Sequence, residues 1–410
     1  MTPPAPLGVY VHWPYCARVC PYCDFNVRRD RGRTAEQAAL VEAIVADLAS
    51  QAALTGPRRL VSVFLGGGTP SLMDPAAAGA IVAAARRLWS PEPDLEVTLE
   101  ANPTDAEAGR FQAFADAGVN RLSLGLQSLD DEALEFLGRN HDAAAGLRAA
   151  RAARAAFPRL SIDLIYARPG QTPAGWREEL GRALDLGAEH VSPYQLTIET
   201  GTAFDRAVRR GALVPPGPDT GADLFEMTQA VLEAAGFDAY EVSNHARGEA
   251  ARSRHNLVYW RGQDYVGAGP GAHGRITRDG VRHATVAART PAGYIARVAA
   301  TGSGVDADEE LDAREAAQER LLSGLRIDDG VPFSELAALG LSPGAARVAD
   351  LVGMGLLAAD PLCLRATRAG RLVLDRLTAE FALSIVVMAG LVPVTHEHRL
   401  WNLIGCGVHG

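Results

Sequence analysis

The sequence predicts an α/β fold with a parallel sheet, followed by a small C-terminal domain that is helical and winged-helix-like. Two observations support this. Six short apolar runs alternate with six helical patterns in the first two hundred residues, and parallel strands need such crossover helices. Polar residues also follow several predicted strands directly, at the edge where parallel α/β folds bind ligands. Periodicity does not distinguish a full or partial TIM-like barrel from an open, doubly wound sheet.

The elements follow from hydrophobic periodicity along the chain. The predicted strands are the apolar runs Leu7–Trp13, Leu60–Leu65, Leu95–Leu99, Arg121–Leu126, Leu160–Ile165 and His190–Ile198. The predicted helices are rich in Ala, Leu and Arg and cover residues 34–54, 75–88, 104–117, 130–137, 142–156 and 172–186. Residues 200–300 are less regular, with a helix near 219–235 and a strand-like run at Phe237–Val242.

The sequence predicts three segments along the chain. Residues 1–305 form the predicted barrel core, residues 306–382 the C-terminal helical domain, and residues 383–410 a tail without an assigned role. The first boundary follows Thr301-Gly302-Ser303-Gly304, a turn-forming stretch that precedes an acidic run. A domain of about 70 residues lies within the usual size range.

Composition narrows the class of protein. The chain has 410 residues, 48% hydrophobic and 22% charged, with a net charge of −9, so general attraction to nucleic acid or anionic membranes is not expected. No secretory signal is visible, and the longest apolar stretch, Ala382–Val394, is shorter than the ~20 residues of a spanning helix. We therefore expect no transmembrane segment and a cytoplasmic location, where clustered thiols are more often metal ligands than disulfides.

Three of the five cysteines lie together in Cys16-Ala-Arg-Val-Cys20-Pro-Tyr-Cys23, directly after the first predicted strand. Structural zinc normally takes four ligands in two pairs, and here a second pair is missing, although a histidine such as His12 could complete a site. Thiolates are the usual ligands of cubane iron–sulfur clusters. Three of them leave one iron of a 4Fe–4S cluster open to a small molecule, and this interpretation is favoured.

The cysteine spacing, an aromatic residue before the last cysteine and the later Gly66-Gly67-Gly68-Thr69-Pro70 together resemble the radical S-adenosylmethionine (SAM) superfamily. Within it, Val9-Tyr10-Val11-His12-Trp13-Pro14-Tyr15-Cys16 resembles the HemN-like group of oxygen-independent coproporphyrinogen oxidases and HemW-type heme chaperones. The resemblance runs from about residue 7 to about residue 380. It implies a full or partial TIM-like barrel, a 4Fe–4S cluster held by Cys16, Cys20 and Cys23, and SAM bound to the open iron.

The resemblance also implies a set of SAM contacts, namely Tyr10, Gly67, Gly68, Thr69, Glu100, Gln127, Arg139 and Asp163. Tyr10 would lie beside the nucleotide, and the glycine motif would present backbone groups to the methionine ammonium. Carboxylates such as Glu100 can accept from ribose hydroxyls, and Arg139 can pair with a carboxylate. No residue is assigned a catalytic role.

Three sequence features separate the two functional classes of the group. The oxidases typically carry a further cysteine two residues after the third, where this chain has Phe25, and a long N-terminal extension for which residues 1–15 leave no room. In contrast, His255-Asn256-Leu257-Val258-Tyr259-Trp260 matches a motif of the heme chaperones. Histidine is a standard axial ligand of heme iron, and Tyr259 and Trp260 could pack on the macrocycle.

The leading hypothesis is therefore a heme chaperone that binds heme, a 4Fe–4S cluster and SAM and transfers heme to an acceptor hemoprotein. An electron donor for the cluster is a second implied partner, and a reduced cluster could cleave SAM. The alternative is an oxygen-independent coproporphyrinogen III oxidase that forms protoporphyrinogen IX. A zinc-bearing α/β protein with an unrelated role is the third hypothesis.

Overall fold

The computed structural model describes residues 4–388, with the backbone alone described for residues 105, 106 and 382–388. The strands in this range are β1 (Pro6–Trp13), β2 (Tyr15–Cys16), β3 (Arg28–Arg29), β4 (Arg59–Gly67), β5 (Ser90–Ala101), β6 (Arg121–Gln127), β7 (Arg159–Tyr166), β8 (His190–Gln195), β9 (Asp238–Ala239), β10 (His245–Ala246), β11 (Asp264–Ala268), β12 (His273–Arg278), β13 (Val281–Ala287), β14 (Val305–Leu311), β15 (Val331–Pro332) and β16 (Cys363–Leu364).

Twelve strands form one sheet in the order β14-β13-β12-β11-β1-β4-β5-β6-β7-β8-β10-β9. Strands β1, β4, β5, β6, β7 and β8 pair parallel in succession, and β11 pairs parallel with β1. The strands at both ends of the sheet pair antiparallel. The predicted α/β fold with a parallel sheet is confirmed. Because β1 pairs with β11 and not with β8, the six strand–helix units form a partial barrel.

The α-helices in the described range are α1 (Thr34–Thr55), α2 (Pro75–Leu88), α3 (Asp105–Ala108), α4 (Phe111–Asp116), α5 (Asp131–Phe136), α6 (Ala143–Ala156), α7 (Pro173–Leu184), α8 (Ala203–Arg209), α9 (Pro218–Ala234), α10 (Arg254–Trp260), α11 (Pro291–Thr301), α12 (Ala313–Gly324), α13 (Ala346–Gly353), α14 (Arg368–Leu372) and α15 (Leu374–Met388). Side-chain caps fix many of the starts. The residues Asp74, Asp130, Asp142 and Thr172 each accept a hydrogen bond from a backbone N–H in the first turn of the following helix.

The helix predicted over residues 104–117 is broken into α3 and α4. Polar contacts explain the break. The buried Glu107 carboxylate accepts from the Ser71 hydroxyl and from the backbone N–H of Asn102, and Arg110 donates to the carbonyls of Ser71 and Met73. These contacts tie Glu107 of α3 and Arg110, the residue before α4, to the turn after β4, where the helix is interrupted.

Helix α1 is long and apolar enough, by length and composition, to cross a membrane. Its buried side chains, however, belong to the core of the barrel: Leu40, Ile44 and Leu48 are fully buried there. On the same helix the buried Asp47 accepts hydrogen bonds from the Tyr294 hydroxyl and the Gly304 backbone. The helix is thus packed into the protein as a core helix.

The C-terminal part has its own hydrophobic core between α12, α13, α15 and the small sheet of β15 and β16. A buried ion pair joins it to the barrel, with Arg326 Nη2 2.6 Å from Glu241 Oε1. The predicted boundary at residue 305 falls at the first residue of β14, whose pairing with β13 carries the large sheet to Leu311. Of the predicted tail, 383–410, all residues beyond Met388 lie outside the described range.

Candidate functional site

A cavity lies at the carboxyl ends of the parallel strands and opens to solvent. It holds about 1030 Å³ of empty space, its open mouth included. The predicted site residues that line it are Cys16, Cys20, Cys23, Gly67, Gly68, Thr69, Glu100, Gln127, Arg139 and Asp163. Residues from β4 and β8 line the same cavity, so the sheet curves around it. We call this cavity the strand-end pocket.

The cysteine loop forms one wall of the strand-end pocket. Cys16 lies in β2, and a backbone hydrogen bond from Cys23 N to Cys20 O closes a turn between the other two cysteines. Burial raises the pKa of the Cys16 thiol to about 11 and that of Cys23 to about 12. Thiols so far removed from water ionise only when a cationic group binds them, which suits the ligands of a metal centre.

The arrangement of these thiols bears on the type of metal centre. Among the described residues, no three His, Cys, Asp or Glu side chains converge as the ligands of one metal ion would. A cubane cluster instead takes one thiolate at each of three irons, so its cysteines lie further apart. His12, a possible fourth zinc ligand, is hydrogen-bonded at both ring nitrogens, to the Tyr10 hydroxyl and the Asn26 carbonyl. The loop therefore fits a cluster better than a single zinc ion.

The glycine motif packs against the cysteine loop. A Cβ atom on Gly68 would lie 2.7 Å from the carbonyl oxygen of Tyr15, so a side chain there would push the two loops apart. Gly67 has a φ of 106°, in the region that favours glycine. The backbone N–H groups of Gly67, Gly68 and Thr69 are already donated, to Glu100, Trp13 and Tyr15 respectively. A bound ammonium would need acceptors, which the carbonyl oxygens of this motif and the Thr69 hydroxyl could supply.

The half-buried Glu100 and the buried Asp163 form the floor of the strand-end pocket. Burial, reinforced by the nearby Asp163, raises the pKa of Glu100 to about 8. Burial also raises the pKa of Asp163, which accepts hydrogen bonds from Ser123 and Ser161. The buried guanidinium of Arg121 acts in the opposite direction on both acids. The floor can therefore exchange a proton for a bound cation or hydrogen-bond donor near neutral pH.

Gln127 has a strained backbone and an unused acceptor. Its φ is 63°, where β6 departs from regular pairing with β7, and the side chain is turned into the strand-end pocket. Its buried Oε1 atom has no hydrogen-bond partner among the described residues. Buried acceptors are normally satisfied, so an orphan in a cavity wall is a place for a ligand donor.

Arg139 connects the cysteines with the strand ends. Its guanidinium donates to the Gly125 carbonyl at 2.9 Å and to the Asn102 side chain, and Nη1 lies 3.6 Å from Cys20 Sγ. Asn102 in turn donates to the Thr69 hydroxyl at 2.9 Å. These hydrogen bonds hold the Arg139 side chain at the strand-end pocket, although Arg139 follows α5 and does not lie at a strand end.

Two further residues, Arg121 and Asn102, belong to the site but were not predicted as site residues from the sequence. Asn102 directly follows β5, so its position at a strand end was a usable signal. Arg121 begins β6 and faces the barrel interior, where it compensates the charges of Glu96, Glu100 and Asp163. Only the packed strands reveal that role.

The remaining predicted residues, Tyr10, His255, Tyr259 and Trp260, are not part of the pocket lining. His255 is 1% exposed on α10, and its ring is hydrogen-bonded to Ser62 Oγ at 2.8 Å and to the Tyr259 hydroxyl at 2.7 Å. Tyr10 stacks beside this ring at a centroid distance of 6.3 Å. Trp260 is 1% exposed and lies under the Arg326 guanidinium of the C-terminal part. The motif thus joins the barrel interior to the C-terminal domain.

A chain of hydrogen bonds runs from the strand-end pocket to α10. Asp163 accepts from Ser161, whose hydroxyl is 2.8 Å from His190 Nδ1. His190 Nε2 is 2.8 Å from the Tyr240 hydroxyl, which also accepts from the N–H of Ser253, the N-cap of α10. One continuous chain of hydrogen bonds therefore links the floor of the strand-end pocket with the start of α10.

Comparisons with known proteins agree with this geometry. A family model of the radical SAM superfamily matches residues 10–183, and one of the HemN C-terminal domain matches residues 311–373. Among solved structures, coproporphyrinogen III oxidase (HemN) from Escherichia coli matches with a TM-score of 0.75 over 92% of this chain and 90% of that chain, at 22% identity. The fold and the pocket define a radical SAM protein with a HemN-type C-terminal domain.

Curated relatives match over nearly the whole chain. "Heme chaperone HemW" from Escherichia coli (strain K12) is 34% identical over 383 residues, 92% of this chain and 98% of that protein. "Heme chaperone HemW" from Mycobacterium tuberculosis (strain ATCC 25618 / H37Rv) is 38% identical, over 91% and 94%. "Radical S-adenosyl methionine domain-containing protein 1, mitochondrial" from Bos taurus is 41% identical, over 90% and 86%. The chain belongs to the HemW-type family of radical SAM proteins, and membership of this superfamily implies a 4Fe–4S cluster and SAM.

Proposed function

We propose that this protein is a heme chaperone, which binds heme and transfers it to an acceptor hemoprotein. The observation that carries the proposal is the match, over nine tenths of the chain, to relatives named heme chaperone HemW. Phe25, at the position where the oxidases have a further cysteine, supports the chaperone over the oxidase. A cytoplasmic location is part of the proposal, although some relatives are named as mitochondrial.

The strand-end pocket is the proposed site of the cluster and SAM. Cys16, Cys20 and Cys23 would hold the cluster, and the polar wall would hold SAM through Gly67, Gly68, Thr69, Glu100, Gln127, Arg139 and Asp163. When bound, the cluster supplies an electron that can cleave SAM. The protein residues would bind and orient SAM. The Gln127 amide oxygen offers an acceptor, and the half-buried Arg139 offers a positive charge for a carboxylate.

His255 is the proposed axial ligand of heme, with Tyr259 and Trp260 beside the macrocycle. In the structure both ring nitrogens of His255 are engaged, and burial lowers its pKa to about 3, so the imidazole is neutral as a metal ligand must be. Binding iron through this ring requires the buried imidazole to become accessible and one of its nitrogens to give up its partner, Ser62 or Tyr259, while the other can stay hydrogen-bonded. The chaperone function and the role of His255 are therefore separate propositions and need separate tests.

The test of function is heme titration of the anaerobically reconstituted protein, with and without SAM, followed by transfer to a heme-free hemoprotein. We expect a saturable Soret band and delivery of heme to the acceptor. The absence of saturable heme binding would overturn the proposal, and formation of protoporphyrinogen from coproporphyrinogen under reducing conditions would establish the oxidase in its place.

The test of the ligand is His255→Ala in the same titration, with Asn256→Ala on the same helix as the matched control. A role as ligand predicts a shifted or weakened Soret band in the first variant alone. Thermal unfolding of both variants separates loss of a ligand from loss of the fold. An unchanged Soret band and affinity in folded His255→Ala would remove His255 from the heme site.

A further inference from the structure

Four arginines surround a concave surface beside the cysteine loop. Arg28, Arg29, Arg31 and Arg33 line it together with Tyr15, Glu36, Pro291 and Ala292. The four side chains are exposed, and the concavity holds about 830 Å³ of empty space, part of it open solvent. We call this surface the arginine patch. It is separate from the strand-end pocket, with which it shares no lining residue.

The arginine patch is attached directly to the proposed cluster ligands. Strand β3 pairs with β2 so that Arg28 lies opposite Tyr15 and Arg29 lies opposite Cys16. The next residue, Asp30, donates its N–H to the Cys16 carbonyl at 2.7 Å. Neighbouring strands lie about 4.8 Å apart, so a protein seated on this patch would approach the cluster within a few strand spacings.

The charge of the patch is opposite to that of the molecule as a whole. The chain carries a net charge of −9, yet the patch concentrates four positive charges against the single lining carboxylate of Glu36. Among the described residues, Arg33 pairs with Glu36 at 3.3 Å, whereas Arg28, Arg29 and Arg31 take part in no ion pair. Arg28 also acts electrostatically on Glu36 without a close ion pair. The patch still has more positive than negative charge on one face of an acidic protein, which gives a local attractive field for an anionic partner.

We propose that the arginine patch docks an acidic electron-transfer protein that reduces the cluster, an inference that rests on the cluster assigned above. One electron passes from the reduced centre of the partner to the cluster; the partner is oxidised by one electron, and no bond is formed or broken. Tyr15, Pro291, Ala292 and the aliphatic stems of the arginines give the concavity mostly apolar walls, rimmed by the guanidinium charges. Apolar contact would therefore add to affinity, whereas the charges speed association and make it depend on salt.

The experiment compares Arg28→Gln/Arg29→Gln with the control Arg86→Gln/Arg87→Gln, which removes two exposed arginines from α2, outside the patch. Reconstituted proteins are mixed with reduced flavodoxin, an acidic flavoprotein, and loss of the visible absorption of the cluster is followed at low and high salt. Photoreduced deazariboflavin, a small uncharged reductant, serves as the reference. A third variant, Arg28→Lys/Arg29→Lys, restores the charge without the guanidinium groups.

We expect the patch variant to lose about tenfold or more in rate with flavodoxin at low salt, the size of typical electrostatic steering. The control and the Lys variant should keep the wild-type rate, all proteins should react equally with deazariboflavin, and high salt should remove the difference. Equal flavodoxin rates in patch and control variants, or no reduction of wild type by flavodoxin, would overturn the docking proposal alone. A protein that assembles no cluster would overturn the cluster assignment and the docking proposal together.

Discussion

The strand-end pocket and the α10 motif were both predicted from short sequence motifs, but the pocket opens to solvent and His255, Tyr259 and Trp260 of the motif are buried. They differ in how their polar atoms are satisfied. In the pocket, Gln127 Oε1 is an orphan and Glu100 holds a strongly raised pKa. In the α10 motif, both ring nitrogens of His255 have partners, and its backbone N–H donates to Glu96 at 3.0 Å. The buried Trp260 Nε1 of the same motif has no hydrogen-bond partner among the described residues, so the contrast concerns His255 and not the whole motif. An unsatisfied acceptor in an open cavity indicates a ligand site, whereas a fully hydrogen-bonded histidine indicates a structural joint in this conformation.

This difference separates two kinds of inference from a motif. For the pocket, motif and geometry point to the same chemistry. For α10, the motif indicates a heme contact, while the geometry describes a closed joint between barrel and C-terminal domain that must open first. Substitutions in the strand-end pocket and in the contacts of α10 test these two interpretations.

Replacing Cys20 by Ala should remove the proposed cluster completely, because two thiolates cannot hold a cubane that normally relies on three. The measurement is iron and sulfide content with visible absorption after anaerobic reconstitution. Cys363→Ser is the matched control, since Cys363 lies in β16 of the C-terminal part and should leave the cluster intact. Normal iron and sulfide in Cys20→Ala would refute the assignment of the pocket.

Replacing Gln127 by Met removes the orphaned acceptor at nearly constant volume. We expect SAM to bind about tenfold or more weakly, equivalent to roughly 1.4 kcal/mol, with cluster content unchanged. The ligand-free variant should be no less stable than wild type, because an unsatisfied buried oxygen has been removed. Calorimetric SAM titration measures the affinity, and thermal unfolding measures the stability. The control is Gln112→Met, at an exposed position of α4. Unchanged SAM affinity would mean that Oε1 faces no ligand.

Much of the barrel was predictable because periodicity reports burial. The strand predicted as Leu160–Ile165 is observed as Arg159–Tyr166, and the helix predicted over 142–156 as Ala143–Ala156. The strand-like run Phe237–Val242 keeps only two strand residues. There Glu241 turns to pair with Arg326 of the C-terminal part, a partner 85 positions further along the chain. Long-range ion pairs of this kind leave no local pattern.

Among the site residues, too, some could be predicted from the sequence and others could not. Residues at strand ends were predictable because the carboxyl edge of a parallel sheet gathers them in one place. Whether a side chain within a strand or short helix faces the cavity or the core is decided by packing, as Tyr10 and His255 illustrate. The compensating charge of Arg121 depends on three strands at once and could not be read from one.

Replacing Glu100 by Gln tests the half-buried acid of the pocket through pH. Burial and Asp163 raise its pKa from 4.5 to about 8 in the folded, ligand-free protein. The stabilising effect of the bound proton is complete below pH 4.5 and is lost as pH rises through about 8, by up to about 1.4 kcal/mol per pH unit. Glutamine does not titrate, so the melting temperature of the variant relative to wild type should rise from pH 5 to pH 8 by about 2 °C or more.

The control for this measurement is Glu178→Gln, at an exposed position of α7. Its melting temperature should differ from that of wild type by the same amount at both pH values. A pH-independent difference for Glu100→Gln would mean that Glu100 is ionised in the ligand-free pocket. The acids of the pocket would then differ less from the fully hydrogen-bonded His255 of α10.

Replacing Ser62 by Ala is the mildest change and the most discriminating for α10. Ser62 Oγ holds His255 Nδ1 at 2.8 Å, so its loss removes one hydrogen bond, about 1 kcal/mol, from the closed joint. If His255 must leave this joint to bind heme iron, the variant should bind heme about fivefold more tightly, since the closed form has been weakened and the open form has not. A purely structural His255 predicts slightly lower stability and no change in heme affinity. Heme titration of Ser62→Ala beside Ser161→Ala, which perturbs His190 on the same polar chain instead, would distinguish the two, because only a ring that has to be released gains affinity when its restraint is removed.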